Sequence, residues 1–302
     1  MLESYAGLTV TAPSPLPAAL CDHGIAMSQG LKPVRIRDLK LRKQRGEKIP
    51  MLTVYDATMA RLLERSGIDV FLVGDSLGNV IEGHDTTIPV TLQAVIHHTQ
   101  AVTRGVEHAL VIADMPFLTY QVSDREAVRN AGKLIQKGGA GAVKLEGGRP
   151  VVDVVRRLVD AGLPVMGHLG LVPQQVHQLS GFRQQARDQR AADQLIEDAR
   201  ALEGAGAFAL VLESIPSQLA RTVTTELEIP TIGIGAGPHC DGQVLVSYDA
   251  FGLNDELVPG FVKQYARLGD LMIAAAKAYA DDVRLGRFPA PEAATASARS
   301  AL

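Results

Sequence analysis

The sequence has few of the residues on which small secreted, zinc-binding or nucleic-acid-binding proteins depend. It has 302 residues but only two cysteines, no tryptophan and 4% aromatic residues. Cys21 and Cys240 lie far apart and outside any metal-ligand spacing, so neither a disulfide framework nor a cysteine zinc site is predicted. The scarcity of aromatic residues also argues against binding of single-stranded nucleic acid by stacking.

Charge and hydropathy narrow the class of protein further. The 30 basic and 33 acidic residues give a formal net charge of −3, which provides no general attraction to nucleic acid. No apolar run approaches the ~20 residues that a membrane-spanning helix needs. The first residues include Glu3 and no basic stretch ahead of an apolar one, so a secretory signal is not expected. We therefore predict a cytoplasmic protein that partners neither nucleic acid nor a membrane.

From Pro50 onwards, apolar runs typical of strands alternate with segments of helical periodicity. Eight strands are predicted, at residues 51–55, 68–73, 108–113, 142–145, 164–167, 207–212, 230–234 and 245–248. Regular alternation of this kind implies parallel strands with right-handed crossovers. A count of eight favours a closed barrel over an open doubly wound sheet, so the predicted fold class is α/β, a (β/α)8 TIM barrel.

The barrel pattern occupies most of the chain. Residues 34–288 are expected to form one catalytic domain, with a flexible N-terminal extension at 1–33 and a disordered tail at 289–302. A short basic helix over 35–45 is predicted to present its Lys and Arg side chains to solvent. The last helix, over 265–284, has no strand after it and is expected to pack on the barrel exterior or on a neighbouring subunit.

Three acidic residues stand where predicted strands end. Asp75, Asp114 and Glu146 each follow a nearly continuous apolar run, which is typical of a buried parallel strand. In barrels of this kind the carboxyl ends of the strands carry the chemistry. Carboxylates that converge there repel one another unless a cation lies between them, and oxygen ligands favour Mg²⁺. Each acid taken alone is equally consistent with a helix cap or a surface charge.

Four other side chains are candidates for substrate binding or catalysis beside such a metal. Ser76 is placed to hold a substrate carboxylate, and Lys144 lies on the same strand face as Glu146. Glu213 ends an apolar strand, where a partly shielded carboxylate suits a general base that removes a proton next to a carbonyl. His168 follows the fifth strand. The alternatives are an ion pair for Lys144, and structural roles for Glu213 and His168.

Ordered sequence stretches carry a resemblance to a known family. They are Val73–Gly78, Gly83–Thr87, Ala113–Phe117, Val143–Gly148, Gly167–Gln174, Leu212–Glu213, Gly233–Gly237, His239–Gln243 and Asp249–Gly252. Together they span about 33–287, and the chain resembles the ketopantoate hydroxymethyltransferase family. The resemblance implies a barrel of the phosphoenolpyruvate/pyruvate-binding type, in a cytoplasmic homo-oligomer that is commonly a decamer.

The resemblance also implies a site and a reaction. One Mg²⁺ per subunit is expected on Asp75 and Asp114, with Glu146 as a ligand directly or through water. The 2-oxo acid is expected on Asp75, Ser76, Asp114, Lys144 and His168, with Glu213 as proton acceptor. The implied reaction moves a hydroxymethyl group from 5,10-methylenetetrahydrofolate to 3-methyl-2-oxobutanoate through a Mg-stabilised enolate, giving 2-dehydropantoate for pantothenate and coenzyme A synthesis.

Two departures and two alternatives accompany this interpretation. The family usually has Lys where Arg183 stands and Gly where Ala186 stands, in the loop expected to affect folate binding. One alternative is a Mg-dependent carbon–carbon lyase or mutase of the same superfamily, although neither cysteine lies in the motif such lyases use. The other is a catalytically silent barrel that acts as a binding module.

Overall fold

The computed structural model describes residues 32–179, 181, 183–255 and 258–289, except for the side chain of Leu179. The expectations for the extension at 1–33 and the tail at 289–302 therefore concern residues that lie, apart from three, outside the described part of the chain. Among the described residues, no helix is both long and apolar enough to cross a membrane.

Eight parallel strands close into one barrel. They are β1 (Ile49–Thr53), β2 (Val70–Val73), β3 (Leu110–Asp114), β4 (Ala142–Lys144), β5 (Val165–Gly170), β6 (Ala209–Glu213), β7 (Thr231–Ile234) and β8 (Gly242–Leu245). Each strand pairs with the next along the chain, and β8 pairs with β1 to complete the ring. The predicted (β/α)8 barrel is confirmed.

Helices follow the strands and cover the outside of the barrel, apart from α1, which precedes β1. They are α1 (Ile36–Arg45), α2 (Ala57–Arg65), α3 (Leu77–Val80), α4 (Leu92–Gly105), α5 (Asp124–Gln136), α6 (Val152–Asp160), α7 (Val176–Leu179), α8 (Gln189–Gly204), α9 (Ser217–Glu226), α10 (Ser247–Ala250) and α11 (Leu268–Arg284). Local sequence determines where several helices begin, because the side chains of Thr91, Ser123 and Asp188 accept backbone N–H hydrogen bonds at the N-termini of α4, α5 and α8.

Alternation along the strands places the polar residues at the barrel mouth. In β3, Leu110 and Ile112 belong to the apolar cluster that fills the barrel, and Asp114 is the next residue of the same parity. In β4, Ala142 belongs to that cluster and Lys144 follows it two residues later. Because successive strand residues point to opposite faces, both charged side chains project inward above the apolar filling.

Helix α1 closes the other end of the barrel. Leu39 is fully buried within the apolar cluster of the barrel interior. Lys43 Nζ donates to the carbonyl oxygens of Thr224 (2.7 Å) and Ile229 (3.0 Å), and Arg42 pairs with Asp69. The prediction that the basic residues of this helix form a solvated face is therefore wrong for Arg42 and Lys43, which bind polar groups just before β2 and β7 and in the last turn of α9.

The last strand of the barrel differs most from its predicted position. Strand β8 was expected at 245–248 but spans Gly242–Leu245, and residues 247–250 form α10 instead. Gly242 packs so tightly on β1 that a Cβ there would lie 2.4 Å from the Ile49 carbonyl oxygen. A strand that begins on a glycine carries little apolar pattern, which explains the misplaced boundary.

Candidate active site

The carboxyl ends of β2 to β6 bring the predicted site residues together. Asp114 and Lys144 are opposite each other in the β3–β4 register. The Asp75 backbone N–H donates to Asp114 Oδ2 at 2.9 Å, although the two residues are 39 positions apart. Lys144 Nζ lies 3.0 Å from Asp114 Oδ1 and 3.7 Å from Glu146 Oε1. Three acids and one ammonium thus form a single buried cluster.

His168 joins this cluster to Glu213. Its Nδ1 lies 3.3 Å from both Lys144 Nζ and Glu146 Oε1, and its Nε2 lies 3.1 Å from Glu213 Oε2. The side chain of His168 is 3% exposed, whereas that of Glu213 is 16% exposed. Glu213 is therefore the carboxylate of the group that faces the open part of the barrel mouth.

Burial and mutual charge shift the acid–base properties of the cluster. Burial and the neighbouring Glu146 and Asp114 carboxylates raise the pKa of Asp75 to about 8. Burial alone would raise the pKa of Glu146, but His168 and Lys144 outweigh it and the pKa of Glu146 falls. Burial and Lys144 oppose the charge on His168, yet Glu146 and Glu213 raise the pKa of His168 to about 9. At neutral pH the imidazole is therefore protonated between two carboxylates.

The donor set suits a hard divalent cation. Asp75, Asp114 and Glu146 offer carboxylate oxygens, the ligands that Mg²⁺ prefers. In the described part of the chain no group of three His, Cys, Asp or Glu side chains meets the spacing of a formed metal site. Lys144 and the protonated His168 stand beside three buried carboxylates, but His168 also pairs with Glu213, and the raised pKa of Asp75 reflects its burial and the excess of negative charge. A further positive charge would stabilise the Asp75 carboxylate, so the residues fit a divalent cation.

Ser76 and Asp114 both pack closely on Gly74. A Cβ placed on Gly74 would be 2.8 Å from Ser76 Oγ and 3.5 Å from Asp114 Oδ2, so a larger residue there would displace the Ser76 hydroxyl. Tyr55, which is 1% exposed, places its hydroxyl 2.8 Å from Ser76 Oγ. Sequence reasoning did not assign Tyr55 to the site, because it lies two residues beyond β1 and no charge marks it.

Two more buried residues were missed. Gln174 and Tyr120 are 3% and 1% exposed, and their side chains are hydrogen-bonded to each other at 2.8 Å. Gln174 lies in a 3-10 turn after β5, and Tyr120 lies in the segment between β3 and α5. Gln174 belongs to a stretch that resembles the family, which was the only available signal, since irregular segments have no periodicity.

The loop that departs from the family pattern lies beside Glu213. Gln185 N donates to the carbonyl oxygen of Ser214 at 2.9 Å. Ala186 has a φ of +52°, in the left-handed region that glycine adopts most easily. The loop therefore has a positive φ at the position where the family usually has glycine. Ser180 and Phe182 of the same stretch lie outside the described residues.

A closed parallel barrel with buried acids, a lysine and a histidine at the carboxyl ends of its strands defines an α/β-barrel enzyme. Solved structures agree on the fold. Phosphoenolpyruvate phosphomutase from Streptomyces platensis subsp. rosaceus matches with a TM-score of 0.57 and 13% identity, covering 84% of this chain and 88% of that one. 2,3-Dimethylmalate lyase, a PEP mutase/isocitrate lyase superfamily member, matches with a TM-score of 0.53 and 17% identity, covering 83% and 88%.

Sequence comparison identifies the family. The family described as ketopantoate hydroxymethyltransferase matches residues 33–291. A 3-methyl-2-oxobutanoate hydroxymethyltransferase from Chlorobium phaeobacteroides is 55% identical over 263 residues, covering 86% of this chain and 95% of the relative. One of the same name from Moorella thermoacetica is 55% identical over 259 residues, covering 86% and 96%. The chain belongs to the ketopantoate hydroxymethyltransferase family.

Membership confirms the predicted function. The chain is an enzyme of hydroxymethyl transfer to 3-methyl-2-oxobutanoate, a small-molecule substrate. The lyase or mutase alternative and the silent barrel are not favoured by relatives that share this name at such identity.

Proposed function

We propose that the cluster at the barrel mouth transfers a hydroxymethyl group from 5,10-methylenetetrahydrofolate to 3-methyl-2-oxobutanoate, giving 2-dehydropantoate, with one Mg²⁺ per subunit. The observation that carries this proposal is the 3.1 Å contact between His168 Nε2 and Glu213 Oε2 beside the buried acids. It gives one partly exposed carboxylate a defined position next to the buried acids that would hold a chelated oxo acid.

Asp75 and Asp114 would hold the metal, with Glu146 as a ligand directly or through water. When bound, Mg²⁺ supplies Lewis-acid polarisation of the substrate carbonyl. Their burial supports this role, because Asp75, Asp114 and Glu146 are 4%, 2% and 2% exposed. Three buried carboxylates this close to one another need compensating positive charge.

Glu213 is the proposed proton acceptor at C3 of the oxo acid. Its greater exposure leaves one side free for substrate, while His168 holds Oε2. A carboxylate that is oriented in this way needs no reorganisation before proton transfer. His168 is itself fixed from behind by Glu146.

Three other residues are proposed to orient the substrate. Lys144 supplies a buried ammonium for developing negative charge on the substrate oxygen, and Asp114 sets its position at 3.0 Å. Ser76, which follows Asp75 and whose Oγ lies 2.8 Å from the Tyr55 hydroxyl, is proposed to donate its hydroxyl proton to the substrate carboxylate. The loop that contains Ala186 lies beside Ser214 and is the proposed contact for the folate co-substrate.

We further propose a cytoplasmic homo-oligomer, with a homodecamer as the expected form, built from one catalytic domain at 34–288. Helix α11 supports the assembly, since it has no buried residue. Its exposed apolar side chains are Leu271, Met272, Ile273, Tyr279 and Val283. Several exposed apolar side chains on a single helix are typical of a protein–protein contact.

Deuterium exchange tests the proposed chemistry. The wild-type chain is expected to exchange C3 hydrogen of 3-methyl-2-oxobutanoate in D₂O only with Mg²⁺, and Glu213→Gln is expected to lose ~10²–10⁴-fold in rate. Glu228→Gln is the matched control, because Glu228 is 78% exposed and pairs with Lys40 of α1 at the closed end of the barrel. Exchange that persists in Glu213→Gln would overturn the role of this residue.

Product analysis separates the enzyme classes. With 5,10-methylenetetrahydrofolate present, 2-dehydropantoate is expected to form. Cleavage of a longer acid without folate would indicate a lyase, and neither exchange nor product would indicate a silent barrel.

A further inference from the structure

Gln174 connects two acids that lie far apart in the sequence. Its Nε2 donates to Asp75 Oδ2 at 2.9 Å, and its backbone N–H donates to Glu146 Oε2 at 3.1 Å. Asp75 is 99 residues before it and Glu146 is 28 residues before it. One residue therefore fixes the relative positions of two carboxylates from β2 and β4.

The orientation of the Gln174 amide follows from its partners. The Nε2 group faces two acceptors, the Asp75 carboxylate and the Met115 carbonyl oxygen, both at 2.9 Å. The Oε1 atom accepts the hydroxyl proton of Tyr120 at 2.8 Å. The reverse orientation would place an amide oxygen against a carboxylate and a carbonyl, so the contacts allow one arrangement.

Tyr120 completes the network behind Gln174. Its hydroxyl oxygen accepts the Glu146 backbone N–H at 3.2 Å while its proton goes to Gln174 Oε1. Both side chains are almost fully buried. The Gln174 amide and the Tyr120 hydroxyl each make more than one hydrogen bond. Movement of either side chain would break several of these bonds at once, so the arrangement is rigid.

The network gives each carboxylate oxygen its own partners. Gln174 Nε2 donates to Asp75 Oδ2. The Gln174 backbone N–H donates to Glu146 Oε2, and Lys144 and His168 lie beside Glu146 Oε1. No described donor is assigned to Asp75 Oδ1 in this network. The side chain of Gln174 thus determines which way the open oxygen of Asp75 points.

We propose that Gln174 is a positioning residue that presents Asp75 to the divalent cation and keeps it in register with Glu146. This inference rests on the proposed function, because it assigns Gln174 a role toward the proposed cation. Outer-shell partners of metal ligands typically change metal affinity or activity by ~10–100-fold when they are replaced.

Calorimetric titration of the metal-free chain with Mg²⁺ tests the proposal. Gln174→Leu is expected to weaken Mg²⁺ binding by ~10–100-fold. Gln175→Leu is the matched control, since Gln175 is the next residue and is exposed. Affinity in Gln174→Leu that equals that of the control would overturn the proposal.

A second readout separates positioning from a structural role. If Gln174 acts through the cation, raising the Mg²⁺ concentration should restore C3 deuterium exchange in Gln174→Leu toward the wild-type rate. Loss of exchange that persists at saturating Mg²⁺ would indicate that the residue serves only the turn and would contradict the proposal. Tyr120→Phe provides a milder variant if Gln174→Leu does not fold, with ~2–10-fold weaker Mg²⁺ binding expected because the hydrogen bond that orients Gln174 Oε1 is lost.

The wild-type measurements separate the two levels of inference. Absence of Mg²⁺-dependent exchange in the wild type would reject the proposed function itself. Normal exchange in the wild type with unchanged Mg²⁺ affinity in Gln174→Leu and Tyr120→Phe would reject only the role of Gln174.

Discussion

His168 Nε2 lies 3.1 Å from Glu213 Oε2, across the paired strands β5 and β6. The histidine is the only group among the described contacts of the site that links the proton acceptor to the buried acids. Its pKa of about 9 keeps it cationic at neutral pH, so it can hold Glu213 and Glu146 at the same time. The proposed base is thus positioned by the same residue that neutralises an acid of the metal site.

Replacement of His168 by Asn should lower catalysis more than it lowers stability. The variant removes the cation that orients Glu213, and a small misplacement of a reacting group can reduce rate by ~10²-fold. We expect C3 exchange to fall by roughly one to two orders of magnitude, with the substrate KM changed less than kcat. His97→Asn, at an exposed position of α4, serves as the control. Equal rates in the two variants would contradict the role of His168.

Binding of Mg²⁺ should release a proton from Asp75. Burial with Glu146 and Asp114 raises the pKa of Asp75 to about 8, so the metal-free chain holds this proton at pH 7. A cation requires the carboxylate, and affinity should therefore rise with pH, by at most about tenfold per unit, until pH 8. Calorimetry in buffers of different ionisation enthalpy should give about one proton per Mg²⁺ at pH 7. Binding without proton release would contradict this linkage.

The raised pKa of Asp75 also predicts how the free energy of unfolding of the metal-free chain changes with pH. A carboxyl group whose pKa is raised by folding contributes stability at low pH that is lost as pH rises through the folded pKa. Between about pH 5 and pH 8, the free energy of unfolding should fall by at most about 1.4 kcal/mol per unit from Asp75. Asp75→Asn should remove this slope and Mg²⁺ binding together. Denaturant titrations at several pH values without metal measure the slope.

Tyr55 should act on substrate binding through Ser76. Tyr55→Phe keeps the buried ring and removes the hydroxyl that lies 2.8 Å from Ser76 Oγ. The loss of one buried hydrogen bond is worth about 0.5–1.5 kcal/mol. We expect the KM for 3-methyl-2-oxobutanoate to rise by ~2–10-fold with kcat nearly unchanged. Tyr265→Phe, at an exposed position outside α11, is the control.

A double-mutant cycle separates this role from packing. If Tyr55 acts only by holding the Ser76 hydroxyl, then Tyr55→Phe should have no further effect in a Ser76→Ala background. Additive effects on KM would indicate that Tyr55 influences the substrate by another route.

The sequence predicted the barrel and its charged mouth because both follow from patterns within single strands. Asp114 and Lys144 continue the parity of apolar residues, so their place could be inferred from β3 and β4 alone. Gln174 and Tyr120 lie in irregular segments, and their contacts depend on how distant parts of the chain meet. No local period carries that information.

The closed end of the barrel illustrates the same limit. Glu64 accepts the backbone N–H groups of Glu107, His108 and Ala109 and lies 3.2 Å from the His108 ring. On the sequence it is one more acidic residue of an amphipathic helix. Its partners come from the segment that leads into β3, more than 40 residues later. Long-range pairing of a helix residue with a loop requires the folded structure.

The conformation of Ala186 makes a graded stability series possible. The left-handed conformation, at φ +52°, costs an L-residue about 1–2 kcal/mol. Ala186→Gly removes this strain but adds freedom to the unfolded chain, worth ~0.4–1 kcal/mol, so the two terms partly offset each other. We expect the free energy of unfolding of Ala186→Gly to stay within about 1 kcal/mol of wild type.

Ala186→Val should behave differently. A β-branched side chain is a true outlier in the left-handed region, and Ala186 also packs against the apolar core. The valine variant should therefore be less stable than both wild type and Ala186→Gly, by more than ~1 kcal/mol relative to wild type. Because the loop adjoins Glu213 through Ser214, its KM for 5,10-methylenetetrahydrofolate should also rise. Denaturant midpoints and steady-state kinetics measure both effects, and equal stability of the Val and Gly variants would show that the loop relaxes out of this conformation in solution.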